Sequence, residues 1–294
     1  MFYRRKLILA LIQAFENQLE RLSLQKLIFL FTQQQSTPNY DFVPYKFGCY
    51  SFSANADLKA MVAQKFLLEN GNFLIKNDKT DYISKLTEQD KKALASIKKR
   101  YREFSSDELM KFTYLNYHYY AINSVKAKEI LSNEDYQRVV NAKPTNDNII
   151  LYTVGYEGIS LEEYLNRLIK NDIKILVDVR NNPMSMKFGF SKSQLKSYCN
   201  SLNIKYEHIP EVGIQSEMRQ QLNTQSDYDS LFERYKKFNL TKTLSFQKRI
   251  LELLIQEKRI ALTCFEANIF QCHRKHLAEA ITQLPEWNYK LEHI

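Results

Sequence analysis

Glycine and proline are scarce, six of each in 294 residues, and tryptophan occurs once. That scarcity excludes collagen-like and loop-dominated architectures. Cysteine is sparse too. Cys49, Cys199, Cys264 and Cys272 are scattered and too few to staple a chain of this length, which predicts reduced thiols and a cytoplasmic protein. Apolar runs are short, and none approaches the roughly 20 consecutive residues that span a bilayer. The run Leu7 to Ile12, preceded by Arg4-Arg5-Lys6, imitates a signal peptide, yet it stops at Gln13 with no small-residue cleavage site. No membrane partner is therefore expected, and no internal repeat is visible.

What is present is an ordinary globular composition, 44% hydrophobic and 26% charged, in a chain long enough for two cores. Aromatics are abundant, with 19 Tyr and 18 Phe. The net charge of +9 is unevenly spread. Residues 1–146 hold 22 Lys and Arg against 15 Asp and Glu, whereas residues 147–294 hold 20 against 18. A basic N-terminal half points to a polyanionic partner, nucleic acid before membrane, with DNA ahead of RNA. Oligomeric state leaves no mark on the sequence.

Leu7, Leu11, Ile12 and Phe15, then Leu24, Leu27, Ile28 and Phe31, recur at helical spacing. Tyr40 to Ser51 is aromatic, contains Pro44 and Gly48, and reads as a hairpin-like insert. A helix is expected from near Ser53 to Phe66. Phe73 to Ile75 and Asp81 to Ile83 follow as short strands. Helices followed by a hairpin outline a winged helix. The segments Leu24-Gln25-Lys26-Leu27-Ile28-Phe29, Val43 to Ser51 and Asp57-Leu58 resemble a bacterial winged-helix domain often found beside enzymatic partners, with Cys49 where proline is usual. This gives a mainly helical, winged-helix-like domain over residues 1–90. Residues 91–146 read as a helical connector, basic around Lys91 to Arg102 and Tyr-rich around Lys111 to Asn123, with Asn141 to Asn148 as the linker.

Beyond the linker the rhythm changes. Continuous apolar runs at Ile149–Val154, Ile173–Val179, Ile204–Ile209 and Ile260–Phe265 alternate with helical patterns. Such alternation predicts an α/β domain over residues 147–294, Rossmann-like, with a mostly parallel sheet flanked by helices. Ligands of such sheets bind beyond the carboxyl ends of the strands. There the chain places Gly155-Tyr156-Glu157-Gly158, Asp178-Val179-Arg180, Glu211-Val212-Gly213, Cys264-Phe265-Glu266 and Cys272-His273-Arg274. Four segments, the last carrying both the Cys264 and the Cys272 motif, thus deliver acids, arginines, thiols and an imidazole to one sheet edge.

These motifs, with Tyr206-Glu207-His208 and the terminal His293-Ile294, closely resemble the DUF488 family, a group named for a domain of unknown function. The family often has arginine after Pro183-Met184-Ser185; here Met186 and Lys187 stand, so Lys187 is the substitute anion contact. The resemblance implies a fold, and the chemistry must come from the residues. Glu157, Asp178 and Glu266 are the candidates for acid–base or charge-stabilising roles, as in glycosidic cleavage. Cys272 and His273 come next, because a helix start lowers a thiol pKa. Gly155, Tyr156, Arg180, Lys187, Glu211, Gly213 and Arg274 are the expected ligand-binding set. Cys264, Cys272 and His273, with His208 or Glu266, also suit a metal, but the C-x7-C-H spacing fits no zinc pattern, so neither metal nor cofactor is expected. The expected activity is hydrolysis at a nucleotide or modified base in DNA or RNA, at an N-glycosidic or phosphoester bond. The alternative is a DNA-binding, antitoxin-like regulator that senses a small anion without turnover. A strand ending in Asp-Val-Arg also resembles rhodaneses, yet no Cys-x5-Arg loop occurs.

Overall fold

A computed structural model describes residues 1–215, 218 and 222–294. The chain divides into two units, Met1–Lys143 and Pro144–Ile294, and the boundary falls inside the Asn141 to Asn148 linker. Among the described residues no helix is long and apolar enough to cross a membrane.

The first unit is built around α1 (Tyr3–Ala14) and α2 (Arg21–Thr32). Leu7 to Ile12 are all buried, so α1 is an interior helix, apolar around most of its circumference. β1 (Gln18–Glu20) separates the two helices, and β2 (Val43–Tyr45) pairs antiparallel with β3 (Gly48–Tyr50). α3 (Phe52–Ala63) begins where the Ser51 hydroxyl accepts from the Ala54 N–H. β4 (Leu67–Asn70) and β5 (Phe73–Lys76) form a hairpin, and β1 adds to β5. The hairpin differs from expectation: Phe73–Lys76 pairs with the residues before Gly71, not with Asp81 to Ile83. Asp81 instead accepts from the Ile83 and Ser84 N–H groups, which holds that segment in a turn.

α4 (Glu88–Tyr101) and α5 (Ser106–Asn116) are N-capped by Thr87 and Ser105, the latter in a full capping box with Glu108. Short helices α6 (His118–Ala121), α7 (Ala127–Ile130) and α8 (Asn133–Asn141) complete the unit. Residues read as a connector belong to the main core: Leu94, Ile97, Tyr101 and Leu109 pack in one cluster with Leu7 and Leu24. The basic side chains of α4 hid this apolar stripe, which recurs every three or four residues.

The second unit is an α/β domain with a five-stranded, all-parallel sheet. Its strands are β6 (Ile150–Gly155), β7 (Ile175–Asp178), β8 (Lys205–His208), β9 (Arg259–Cys264) and β10 (Lys290–His293), in the order β10-β6-β9-β7-β8. Helices α9 (Leu161–Lys170), α10 (Lys192–Ser201), α11 (Gln225–Arg234), α12 (Leu244–Glu257) and α13 (His273–Thr282) flank it. β6, β7 and β9 are buried along their whole length, as continuous apolar runs require. The register sets Gly155 opposite Cys264, and Asp178 opposite both Thr263 and His208. The carboxyl ends of β6, β7, β8 and β9 therefore lie side by side, where the motif residues begin.

In the first unit, Gly48 sits at φ +90°, and a Cβ there would lie 2.5 Å from the Tyr114 ring. Gly48→Ala is expected to lower the unfolding free energy by about 1–3 kcal/mol. Denaturant unfolding followed by circular dichroism measures this, and an unchanged midpoint would show that neither the dihedral nor the contact constrains the hairpin.

Candidate functional site

β7 ends in Asp178, which is fully buried, and its charge is met at once by Arg180. Asp178 Oδ1 accepts from the Arg180 backbone N–H at 3.1 Å and from Nε at 2.8 Å. Oδ2 accepts from Arg180 Nη2 at 2.5 Å and from the Tyr206 hydroxyl at 2.6 Å. Arg180 Nη1 donates to the Tyr156 hydroxyl at 2.6 Å and to the Phe190 carbonyl at 2.9 Å. Burial disfavours the guanidinium charge, but the Asp178 hydrogen bond and field outweigh it and push the Arg180 pKa up. Burial and Asp178 also push the Tyr206 phenol up. The pair is a bidentate knot between strand ends, in which Arg180 commits Nε, Nη1 and Nη2 to partners within the protein.

Tyr156 lies against this knot. Its ring stacks on Phe190 with centroids 4.2 Å apart and meets Phe265 edge-on at 5.4 Å. Its carbonyl accepts from Lys187 Nζ at 2.6 Å, and burial lowers that lysine's pKa. Lys187 thus fastens a loop rather than presenting its ammonium to a ligand.

The segment after β9 is clamped from two sides. Glu157 Oε2 accepts from the Ala267 N–H at 2.9 Å, and Arg274 Nη1 donates to the Glu266 carbonyl at 2.5 Å. The Glu266 carbonyl passes so close to Gly155 that any Cβ there would collide with it. Gly213 has the same function against the Asn181 backbone, and this brings Ile214 in beside the 180–186 loop. Gly155, Glu157 and Gly213 are therefore architectural. Glu211 is exposed on a 3₁₀ turn and does not reach the cavity lining.

Beneath these loops Cys264, Cys272 and His273 form a buried cluster. Cys264 Sγ donates to Glu266 Oε2 at 3.1 Å and lies 3.6 Å from His273 Nδ1. His273 Nε2 donates to the Val179 carbonyl at 3.1 Å. The thiol at Cys272 contradicts the helix-start expectation. Burial pushes its pKa well above the ordinary value, and the neighbouring Cys264 adds to the rise while Arg274 opposes it. It is a protonated thiol at neutral pH, not an activated nucleophile.

Above the sheet edge opens a cavity of about 310 Å³. Tyr156, Arg180 and Cys264 line it, joined by Asn181, Asn182 and Phe265. Met184 and Met186, 82% and 105% exposed, stand in the same loop. Of the expected set, Tyr156 and Arg180 line the cavity, and Asp178, Glu266, Cys272, His273 and Arg274 are not among its lining residues. Sequence reasoning missed the two asparagines, the methionines and Phe265 as site residues. Their position just past the ends of β7 and β9 was the available signal. Two adjacent amides and an aromatic edge suit a flat, hydrogen-bonding ligand.

Asp178→Asn leaves Arg180 without its counter-charge, and breaking a buried pair costs about 3–5 kcal/mol. The double variant Asp178→Asn with Arg180→Gln is expected to lose less than the sum of the singles. A double-mutant cycle by urea unfolding measures the coupling; additive losses would remove the knot from the description of this site.

No curated protein matches the chain. The motif spacing nevertheless has a counterpart: residues 160–281, from the start of α9 almost to the end of α13, match the family model described as domain of unknown function DUF488.

Proposed function

We propose that the protein binds nucleic acid, DNA before RNA, and draws a nucleotide or modified base into the cavity at the carboxyl edge of the parallel sheet. There it hydrolyses an N-glycosidic or phosphoester bond. The observation that carries this reading is the cavity itself. An aromatic wall of Tyr156 and Phe265 is joined in the lining by the adjacent amides of Asn181 and Asn182, and exposed Met184 and Met186 stand in the same loop. A base stacks on such a wall and hydrogen-bonds to such amides, as do bases taken out of a helix by enzymes that act on them. The first unit, with its hairpin and its 22 basic against 15 acidic residues, is read as a winged-helix-like element that supplies phosphate contacts.

Glu266 is the carboxylate assigned to acid–base work. Asp178 gives both oxygens to Arg180 and Tyr206 and Glu157 gives one to the Ala267 N–H, whereas the hydrogen bond of Glu266 goes to Cys264, which lines the cavity. That same occupation of two carboxylates favours a second reading, a binding protein that senses the ligand without turnover.

The test is binding of full-length protein to single- and double-stranded oligonucleotides of DNA and RNA across a salt series. Log affinity is expected to fall linearly with log salt. Phe265→Ala is expected to weaken binding about tenfold with the salt slope unchanged, since a stacked base is worth roughly 1–3 kcal/mol. Glu266→Gln should abolish cleavage of modified oligonucleotides and keep affinity. Absence of binding at low salt sinks the reading. Binding without product from the unsubstituted protein decides for the sensor.

A further inference from the structure

We propose that Cys264, Cys272 and His273 bind a zinc ion, with solvent as its fourth ligand. The sulfur of each cysteine and a ring nitrogen of His273 all lie within 4.8 Å of one another, and none of the three residues is more than 1% exposed. Zinc–sulfur and zinc–nitrogen bonds of ordinary length, set at the tetrahedral angle, place a sulfur and a nitrogen about 3.6 Å apart. Cys264 Sγ and His273 Nδ1 stand 3.6 Å apart.

The imidazole is already oriented as a ligand. Its Nε2–H donates to the Val179 carbonyl, which leaves the Nδ1 lone pair directed at Cys264. Histidines that hold metals are fixed in this way by a hydrogen bond from the other ring nitrogen. Two sulfurs with one imidazole select zinc over magnesium or calcium. The charge also balances. Two thiolates neutralise the dication, and beside it lies the buried guanidinium of Arg274, whose Nε has no hydrogen-bond partner among the described residues.

On loading, each cysteine S–H gives its proton to solvent as its sulfur–zinc bond forms, so two protons leave per ion and the imidazole stays neutral. Cys264 lines the cavity, and this gives the ion its way in. Sequence spacing argued against a metal because no CxxC knuckle is present. The structure supplies the ligands from a strand end and a helix start instead, Cys264 from β9 and Cys272-His273 from the head of α13. The site does not depend on what occupies the cavity.

Full-length protein, loaded with zinc and dialysed, is expected to retain one equivalent by elemental analysis. Loading in weak buffer should release two protons per ion. Cobalt in place of zinc should give thiolate-to-cobalt charge-transfer absorption with the visible bands of a tetrahedral ion. Cys272→Ser and His273→Asn should lose the metal, while Cys199→Ser, a buried cysteine outside the cluster, should keep it. The cobalt spectrum of the unsubstituted protein needs no variant to fold; its absence, together with no stoichiometric zinc, overturns the site. Equal metal loss in Cys199→Ser also overturns it.

Discussion

The ion pair between Asp178 and Arg180 is the constraint on which the rest of the sheet edge depends. A carboxylate at the end of an interior strand has no water to face, and its desolvation has to be offset by donors aimed at both oxygens. Arg180, two residues on, provides three of them and Tyr206 the fourth. The guanidinium then has Nη1 left for Tyr156 and Phe190. One buried pair thereby joins β7, the loop after β6, the turn before α10 and the strand β8. The pair that commits the Arg180 guanidinium to partners within the protein is what gives the cavity a fixed wall.

A second layer of constraint comes from backbone proximity. Glu157 and Arg274 grip the N–H and the carbonyl of one peptide, Glu266–Ala267, in the turn after β9, and Gly155 lets that turn cross the end of β6. Gly213 permits the same closeness between the Ile214 segment and Asn181. The loops are anchored through their backbones and leave Phe265, Met184 and Met186 turned outward. Anchored loops with exposed apolar tips hold a binding surface in place without spending its side chains on the fold.

Much of this was legible in the sequence. β6, β7 and β9 read as continuous apolar runs, and the placement of the motifs at their carboxyl ends followed from the parallel sheet. β10 was not legible, since Lys290–His293 alternates in polarity and earns its place only by pairing with β6. α11 was missed because its first turn is polar, and its signal was the Thr224–Asp227 capping box. The roles of the charged residues were the least visible part. Asp178 and Arg180 are two residues apart in sequence, but Tyr156, Phe190 and Tyr206 lie 10 to 28 positions away, and only the fold shows that they consume the pair's hydrogen bonds. Glu157 looks like a free acid until Ala267, 110 positions on, is seen to donate to it.

Cys272 shows how two sound principles compete and which one prevails. It is the N-cap of α13, where the helix dipole favours a thiolate. That effect is worth typically 0.3–1 kcal/mol, and up to about 2 in favourable buried geometry. Removing a charge from water costs several kcal/mol even after relaxation. Cys272 has no exposed surface at all, and the thiol of Cys264 adds to the rise while Arg274 only opposes it. Desolvation wins, so position on a helix predicts a reactive cysteine only where solvent or a compensating charge reaches the sulfur. A buried sulfur of this kind loses its proton only to a partner that brings positive charge into the cluster itself.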